Sequence, residues 1–198
     1  MSKLSTALQQ TPLGALLTAH EAAELTQHAQ HKALKKGAYL FHVDDPGNAL
    51  HIVLQGSLEV VLGEGDKTVV VATMGPGQVV GELEVMTGGR RVAGLVAKDA
   101  AEVIEIANER LQSMLAQQSP AATKLVTYIA KTLARRLAAV NQRLMARAST
   151  AAMPANATPA AASQPDATAS EPAPAPSTPR DTILQEGDLQ VLDELWSA

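Results

Sequence analysis

Between Lys36 and Ile106 the sequence breaks into six apolar and β-branched runs of four to six residues: Tyr39–Val43, Leu50–Leu54, Leu58–Leu62, Val69–Ala72, Val92–Ala97 and Val103–Ile106. Gly, Asp and Pro separate them. Runs this short do not make helices that bury a face, but they have the length of strands, and their even spacing predicts a small all-β sandwich or barrel. Leu58-Glu59-Val60-Val61-Leu62 and Thr68–Val71 alternate on either side of Gly63-Glu64-Gly65-Asp66, which reads as a hairpin turn.

Helical spacing brackets this region. Leu13, Leu16, Leu17, Ala22 and Leu25 predict one or two short amphipathic helices, with Pro12 suited to a first turn. After Asn108 the period returns to 3.6, and Pro120 is placed to start a new helix. Leu125, Ile129, Leu133, Leu137, Val140 and Leu144 then advance by three or four residues, which gives one aliphatic stripe over about five turns. A small β domain covers only part of a helix roughly 35 Å long, so the distal half is expected to pair with the same helix of a second subunit.

Composition sets the class. Hydrophobic residues make up 46% and aromatic residues 2%, so the core must be aliphatic. The absence of cysteine excludes disulfides, thiolate catalysis and thiolate zinc sites. No apolar run approaches the ~18 residues of a membrane span, and the early stretch Leu13–Leu17 lacks the features of a signal peptide, so a cytoplasmic protein is expected. Residues 1–150 carry 15 basic and 13 acidic side chains, whereas 151–198 carry one base and seven acids. We therefore divide the chain into a folded domain at 1–150, an Ala/Pro-rich disordered linker at 151–180 and an acidic amphipathic tail at 181–198.

The segment most informative about chemistry is Val79–Ala97, VVGELEVMTGGRRVAGLVA. Gly75, Gly77 and Gly81 permit tight turns, a short helix-compatible stretch follows, and Arg90-Arg91 precedes a strand. Free amides with a guanidinium close by make a phosphate cradle, and a carboxylate at Glu82 can accept both hydrogens of a sugar diol. Taken alone, the same residues also fit a glycine-rich turn with an exposed Glu–Arg ion pair.

Gly81-Glu82-Leu83, Arg91 nine residues after the glutamate, and Val92-Ala93 together resemble the phosphate-binding cassette of the cyclic-nucleotide-binding domain family. Lys36–Phe41, Leu50–Val60 and Met74–Gly77 resemble that family's β-roll in order, so the likeness covers about residues 10–147. It implies an eight-stranded β-roll of jelly-roll type, mainly β, with short N-terminal helices and a long C-terminal dimer helix. By the same resemblance Gly81, Glu82, Leu83, Arg90, Arg91, Val92 and Ala93 bind the ligand, with Glu82 on the ribose 2′-hydroxyl and Arg91 and amides near Ala93 on the cyclic phosphate. Three departures stand out: Gly94 sits where a hydroxyl residue often contacts ligand, Arg90 replaces a proline, and Asp44-Asp45 replaces a glycine-containing turn. Ala134-Arg135-Arg136-Leu137 resembles the dimer helix of catabolite-activator transcription factors, which makes Asn141 the expected base reader.

Those transcription factors continue into a winged helix-turn-helix, whereas residues 151–198 hold no recognition helix or basic DNA-reading segment. His20, His28, His31, His42 and His51 lack metal-site spacing and read as surface or satisfied strand residues, and no nucleophile–base pair appears. In the tail, Leu189, Leu192, Leu195 and Trp196 share one side of a helix begun near Asp188, which suits a docking peptide on a tether. The expected protein is a non-enzymatic, dimeric cyclic-nucleotide receptor without metal or cofactor. Its ligand is cyclic AMP before cyclic GMP, and its output goes to a protein partner through residues 181–198, with no DNA and no membrane. The alternatives are a ligand-free β-roll adaptor or a receptor for cyclic di-GMP.

Overall fold

The computed structural model describes residues 2–27, 29–63 and 68–151. Met1, His28, the tip of the predicted hairpin turn, the tail and the expected linker from residue 152 onward lie outside the described residues, while Ala151 closes the last helix. Helix α1 (Lys3–Gln9), a 3-10 turn (Gly14–Leu16) and helix α2 (Ala19–Gln27) open the chain. Each of the two helices is set by side chains that occupy backbone groups which helix ends leave free. The Ser2 hydroxyl accepts the Ser5 N–H at 3.1 Å before α1. At α2 the Thr18 hydroxyl accepts the Glu21 N–H at 3.2 Å while the Glu21 carboxylate accepts the Thr18 N–H at 2.7 Å, a reciprocal capping box.

Eight strands follow: β1 (Gln30–Leu34), β2 (Tyr39–Phe41), β3 (Ala49–Gln55), β4 (Leu58–Leu62), β5 (Val69–Met74), β6 (Val79–Val80), β7 (Gly94–Ala97) and β8 (Ala101–Ala107). They form two four-stranded antiparallel sheets in the orders β1-β8-β3-β6 and β2-β7-β4-β5. This is the eight-stranded β-roll that the resemblance implies, and it meets the all-β class expected from the run pattern. Two strands escape that pattern for physical reasons. β1 reads QHKAL with little apolar alternation, and is held at its edge by pairing with β8, where Lys32 and His31 meet Glu105 and Glu102. β6 has two residues, too few to show a period. The run at Val92 enters its strand two residues late, and Val92 is left 63% exposed.

The core has two compartments divided by the first sheet. Leu50, Ile52 and Leu54 of β3 and Ile104 and Ile106 of β8 pack against Leu8, Leu13 and Leu25 of the N-terminal segment. Val53 and Val103 of the same two strands point the other way, against Leu58, Val60 and Leu95 of the second sheet. Successive strand residues face opposite sides, so a strand buried on both faces is nearly all apolar, as β3 is apart from buried His51 and its exposed last residue Gln55. The fully buried large side chains are aliphatic, Leu, Ile or Met, as the composition requires.

Helix α3 (Glu82–Thr87) lies between β6 and β7, and α4 (Asn108–Ala116) leads to α5 (Pro120–Ala151). Pro120 is the first residue of α5, and the Ser119 hydroxyl accepts the Ala122 N–H at 3.2 Å. The proximal stripe residues Leu125 and Ile129 join the core under β3, and Lys124 is 2.7 Å from Glu21 of α2. Beyond Arg136 the stripe leaves the domain: Leu137 is 61% exposed, Leu144 59% and Met145 74%. Among the described residues no helix is long and apolar enough to cross a membrane.

Candidate functional site

The site is built on the turn from β6 into α3. Gly81 adopts φ 72°, and a Cβ there would lie 2.2 Å from Nη1 of Arg91. Glycine is thus required twice, for the left-handed backbone and for the close approach of the guanidinium. The guanidinium donates to the carbonyls of Gly81 at 3.1 Å and Ala49 at 2.6 Å, pairs with Glu84 at 3.2 Å, and lies over the Phe41 ring at 4.1 Å. Arg91 is buried with its Nε unpartnered. A planar delocalised cation tolerates such burial where its fork meets several acceptors and its face meets an aromatic ring.

A loop clamps the Arg90-Arg91 segment in place. Asp44 N–H donates to the Arg91 carbonyl and Arg91 N–H to the Asp45 carbonyl, both at 2.9 Å, and Gly47 N–H reaches Gly89 O at 3.0 Å. The substitution of Asp44-Asp45 for a glycine-containing turn is accommodated locally: Asp44 takes φ 64°, a conformation aspartate tolerates better than most residues, and the Asp45 carboxylate accepts the His42 N–H at 2.7 Å. Arg90 is exposed and donates to the Asp44 carbonyl, so it secures the loop.

Glu82 is the first residue of α3 and is buried. Its carboxylate lies 3.3 Å from Nη1 of Arg136, which reaches across from α5. Burial pushes the Glu82 carboxyl up and the Arg136 guanidinium down, and their attraction offsets each shift only in part. Arg136 thus joins the cassette to the long helix. Glu82 borders two cavities. One, lined by the cassette residues 81–84 and 92–94 with Phe41 and Val80, measures about 30 Å³. The other, about 510 Å³, lies between Pro12, the Gly75-Pro76 turn and the α5 residues Tyr128, Thr132 and Arg135.

The structure therefore brings together Gly81, Glu82, Leu83, Val92 and Ala93 around one small cavity, with Arg91 buried behind it and Leu83 and Val92 as an exposed apolar rim. Arg90 and Asn141 line neither cavity. Asn141 is exposed on α5, five residues beyond Arg136 and hence about 140° further round the helix. Two participants were not anticipated as such, Glu84 and Arg136. Glu84 sits two residues beyond the cassette glutamate, where spacing alone does not reveal which carboxylate meets Arg91. Arg136 belongs to a motif noted in the sequence, but its partner depends on how α5 docks.

His51 is buried with Nε2 2.8 Å from Glu105, and Phe41, whose ring carries the Arg91 guanidinium, has its centroid 5.6 Å from that of His51. Burial lowers the His51 pKa to about 4, against the pull of Glu105, so the ring is neutral at pH 7. Among the described residues no group of three or more potential ligands is placed to hold a metal ion.

A family model described as a cyclic nucleotide-binding domain matches residues 31–118. Residues 31–118 belong to the cyclic nucleotide-binding domain family. The domain is 36% identical over 102 residues to lysophospholipase nte1 of Neosartorya fischeri, a stretch that covers 51% of this chain and 6% of that protein. Among solved structures, the catabolite activator protein of Thermus thermophilus superposes with a TM-score of 0.57 at 25% identity, over 69% of this chain and 63% of its own. The cyclic di-GMP-responsive global regulator CLP of Xanthomonas campestris superposes with a TM-score of 0.55 at 27% identity, over 61% and 59%. The chain thus spans a small part of its curated relative and about three fifths of these two regulators.

Proposed function

We propose that this protein is a cytoplasmic, non-enzymatic receptor for a cyclic nucleotide, with cyclic AMP as the first candidate, and that it passes occupancy to a protein partner. The observation that carries the reading is the pair of Glu82 contacts: the cassette carboxylate lines the ligand cavity and holds Arg136 of α5 at 3.3 Å. In this proposal the ribose 2′-hydroxyl takes Glu82, and the cyclic phosphate takes Arg91 and the amides of Val92 and Ala93. Each new bond at Glu82 competes with Arg136, so occupancy changes what anchors the long helix. The exposed Leu137, Leu144 and Met145 then serve a paired helix in a homodimer. Residues 151–198, with seven acids against one base, repel DNA and suit a docking peptide for a protein.

A ligand-free adaptor is the second reading, and one observation favours it: the cassette cavity of about 30 Å³ is far below the roughly 300–1,000 Å³ of ligand sites. Cyclic di-GMP is the third, supported by the likeness to the cyclic di-GMP-responsive regulator and by exposed Arg90 beside the cassette. Equilibrium titration of the purified full chain with cyclic AMP, cyclic GMP and cyclic di-GMP separates them. Saturable binding with cyclic AMP the tightest is expected. A preference for cyclic di-GMP reassigns the ligand, and binding of none of the three at millimolar concentration leaves the adaptor.

A further inference from the structure

The phosphate seat of the cassette already holds an anion, and the anion belongs to the chain. Glu84 Oε2 lies 3.2 Å from Arg91 Nη1, and Glu84 Oε1 accepts the Val92 N–H at 3.2 Å. One guanidinium and one backbone amide are thus bridged by the two oxygens of a single carboxylate, much as two oxygens of a phosphodiester would bridge them. The side chain of Glu84 is 7% exposed and that of Arg91 3%, so the pair is shielded from solvent. The loop that clamps Arg91 also makes room for this carboxylate, since a Cβ at Gly47 would lie 2.3 Å from Glu84 Cβ. What remains of the cavity is about 30 Å³.

Building on the receptor reading above, we propose that Glu84 is a tethered competitor that occupies the phosphate seat and sets the threshold and selectivity of ligand binding. A cyclic nucleotide brings a negatively charged phosphate toward the same two donors. Two anions do not share one buried guanidinium without strong repulsion, so the Glu84 carboxylate must swing out as the phosphate enters. The observed affinity is then the intrinsic affinity reduced by the cost of that displacement. A nucleoside without a phosphate has no claim on Arg91 or the Val92 amide, and pays no such cost. Glu84 therefore narrows the preference of this receptor for the phosphorylated ligand, and removing its charge should widen it.

Calorimetric titration of cyclic AMP and of adenosine into the wild-type chain, Glu84→Gln and Glu84→Ala tests this. The glutamine keeps an oxygen for the Val92 N–H and preserves shape, while the alanine removes the side chain. Expected is at least tenfold tighter cyclic AMP binding in both variants, about 1.4 kcal/mol, with adenosine affinity changed less than twofold. Cyclic AMP binding detectable only in the variants supports the same conclusion. Equal or weaker cyclic AMP binding in both, with wild-type binding intact, overturns the role of Glu84 alone. A parallel gain for adenosine also overturns it. Absence of binding in all three proteins overturns the receptor reading itself.

Discussion

At the scale of single residues, the site is a set of buried ionisable groups with assigned partners: the charged pairs Arg91–Glu84 and Arg136–Glu82, and the neutral His51 ring against Glu105. The first two charged pairs are costly to desolvate, and removing one member of such a pair costs more than the pair itself contributes. His51 makes a separate, pH-dependent claim. Its pKa is about 4 when folded, against an ordinary 6.5, so between those values the unfolded chain binds a proton that the folded chain does not. Stability therefore falls as pH falls through that window. Between pH 7 and pH 5 the loss from His51 is about 2 kcal/mol, and the depressed carboxyl of Glu105 adds in the same sense at lower pH. Urea unfolding of wild type and His51→Gln at the two pH values is expected to show this difference in slope. Equal pH dependence in the two proteins contradicts the assignment. Glu82, whose carboxyl is raised, acts with opposite sign in both proteins and cancels in the comparison. In the sequence the cassette was legible as Gly81-Glu82-Leu83 and Arg91. The ion pairing was not, because Glu82 and Glu84 differ by two positions and only the fold decides which one meets Arg91.

At the scale of elements, most of the sheet was legible because alternation and breakers mark strands buried on one or both faces. The strands missed, β1 and β6, draw their stability from pairing with β8 and β3 and from position, and neither leaves a mark in local sequence. Helix α5 was legible as a long amphipathic helix, and the stripe divides as its length demands. Leu125 and Ile129 are buried, Leu133 is half-buried, and the distal leucines are exposed. In the proposed homodimer these exposed leucines meet a second copy of the same helix, so Leu137→Asp is expected to convert a dimer to a monomer by placing an uncompensated charge in the seam. The mutation lies outside the core and should leave the unfolding midpoint of the β-roll within a few degrees of wild type. Sedimentation equilibrium at micromolar concentration reads the result. A wild-type monomer, or a dimer that persists in Leu137→Asp, contradicts this use of α5.

At the scale of the whole molecule, charge is distributed unevenly: residues 1–150 are slightly basic and residues 151–198 acidic. A cavity of about 510 Å³ lies where the N-terminal segment, the β5–β6 turn and α5 meet, and it shares Glu82 with the cassette. The cassette and the long helix are therefore joined through one carboxylate and one guanidinium, which is what the proposed receptor needs if occupancy is to be felt outside the β-roll. In the proposed receptor the buried Arg91 is the phosphate anchor. Calorimetric titration of cyclic AMP into wild type and Arg91→Ala tests it most directly, with thermal unfolding to verify that the variant is folded. Expected are one site per protomer in wild type and a loss of roughly 2–5 kcal/mol in binding free energy in the variant, typical of removing one partner from a buried charge pair. A folded Arg91→Ala protein that binds cyclic AMP with wild-type affinity contradicts it.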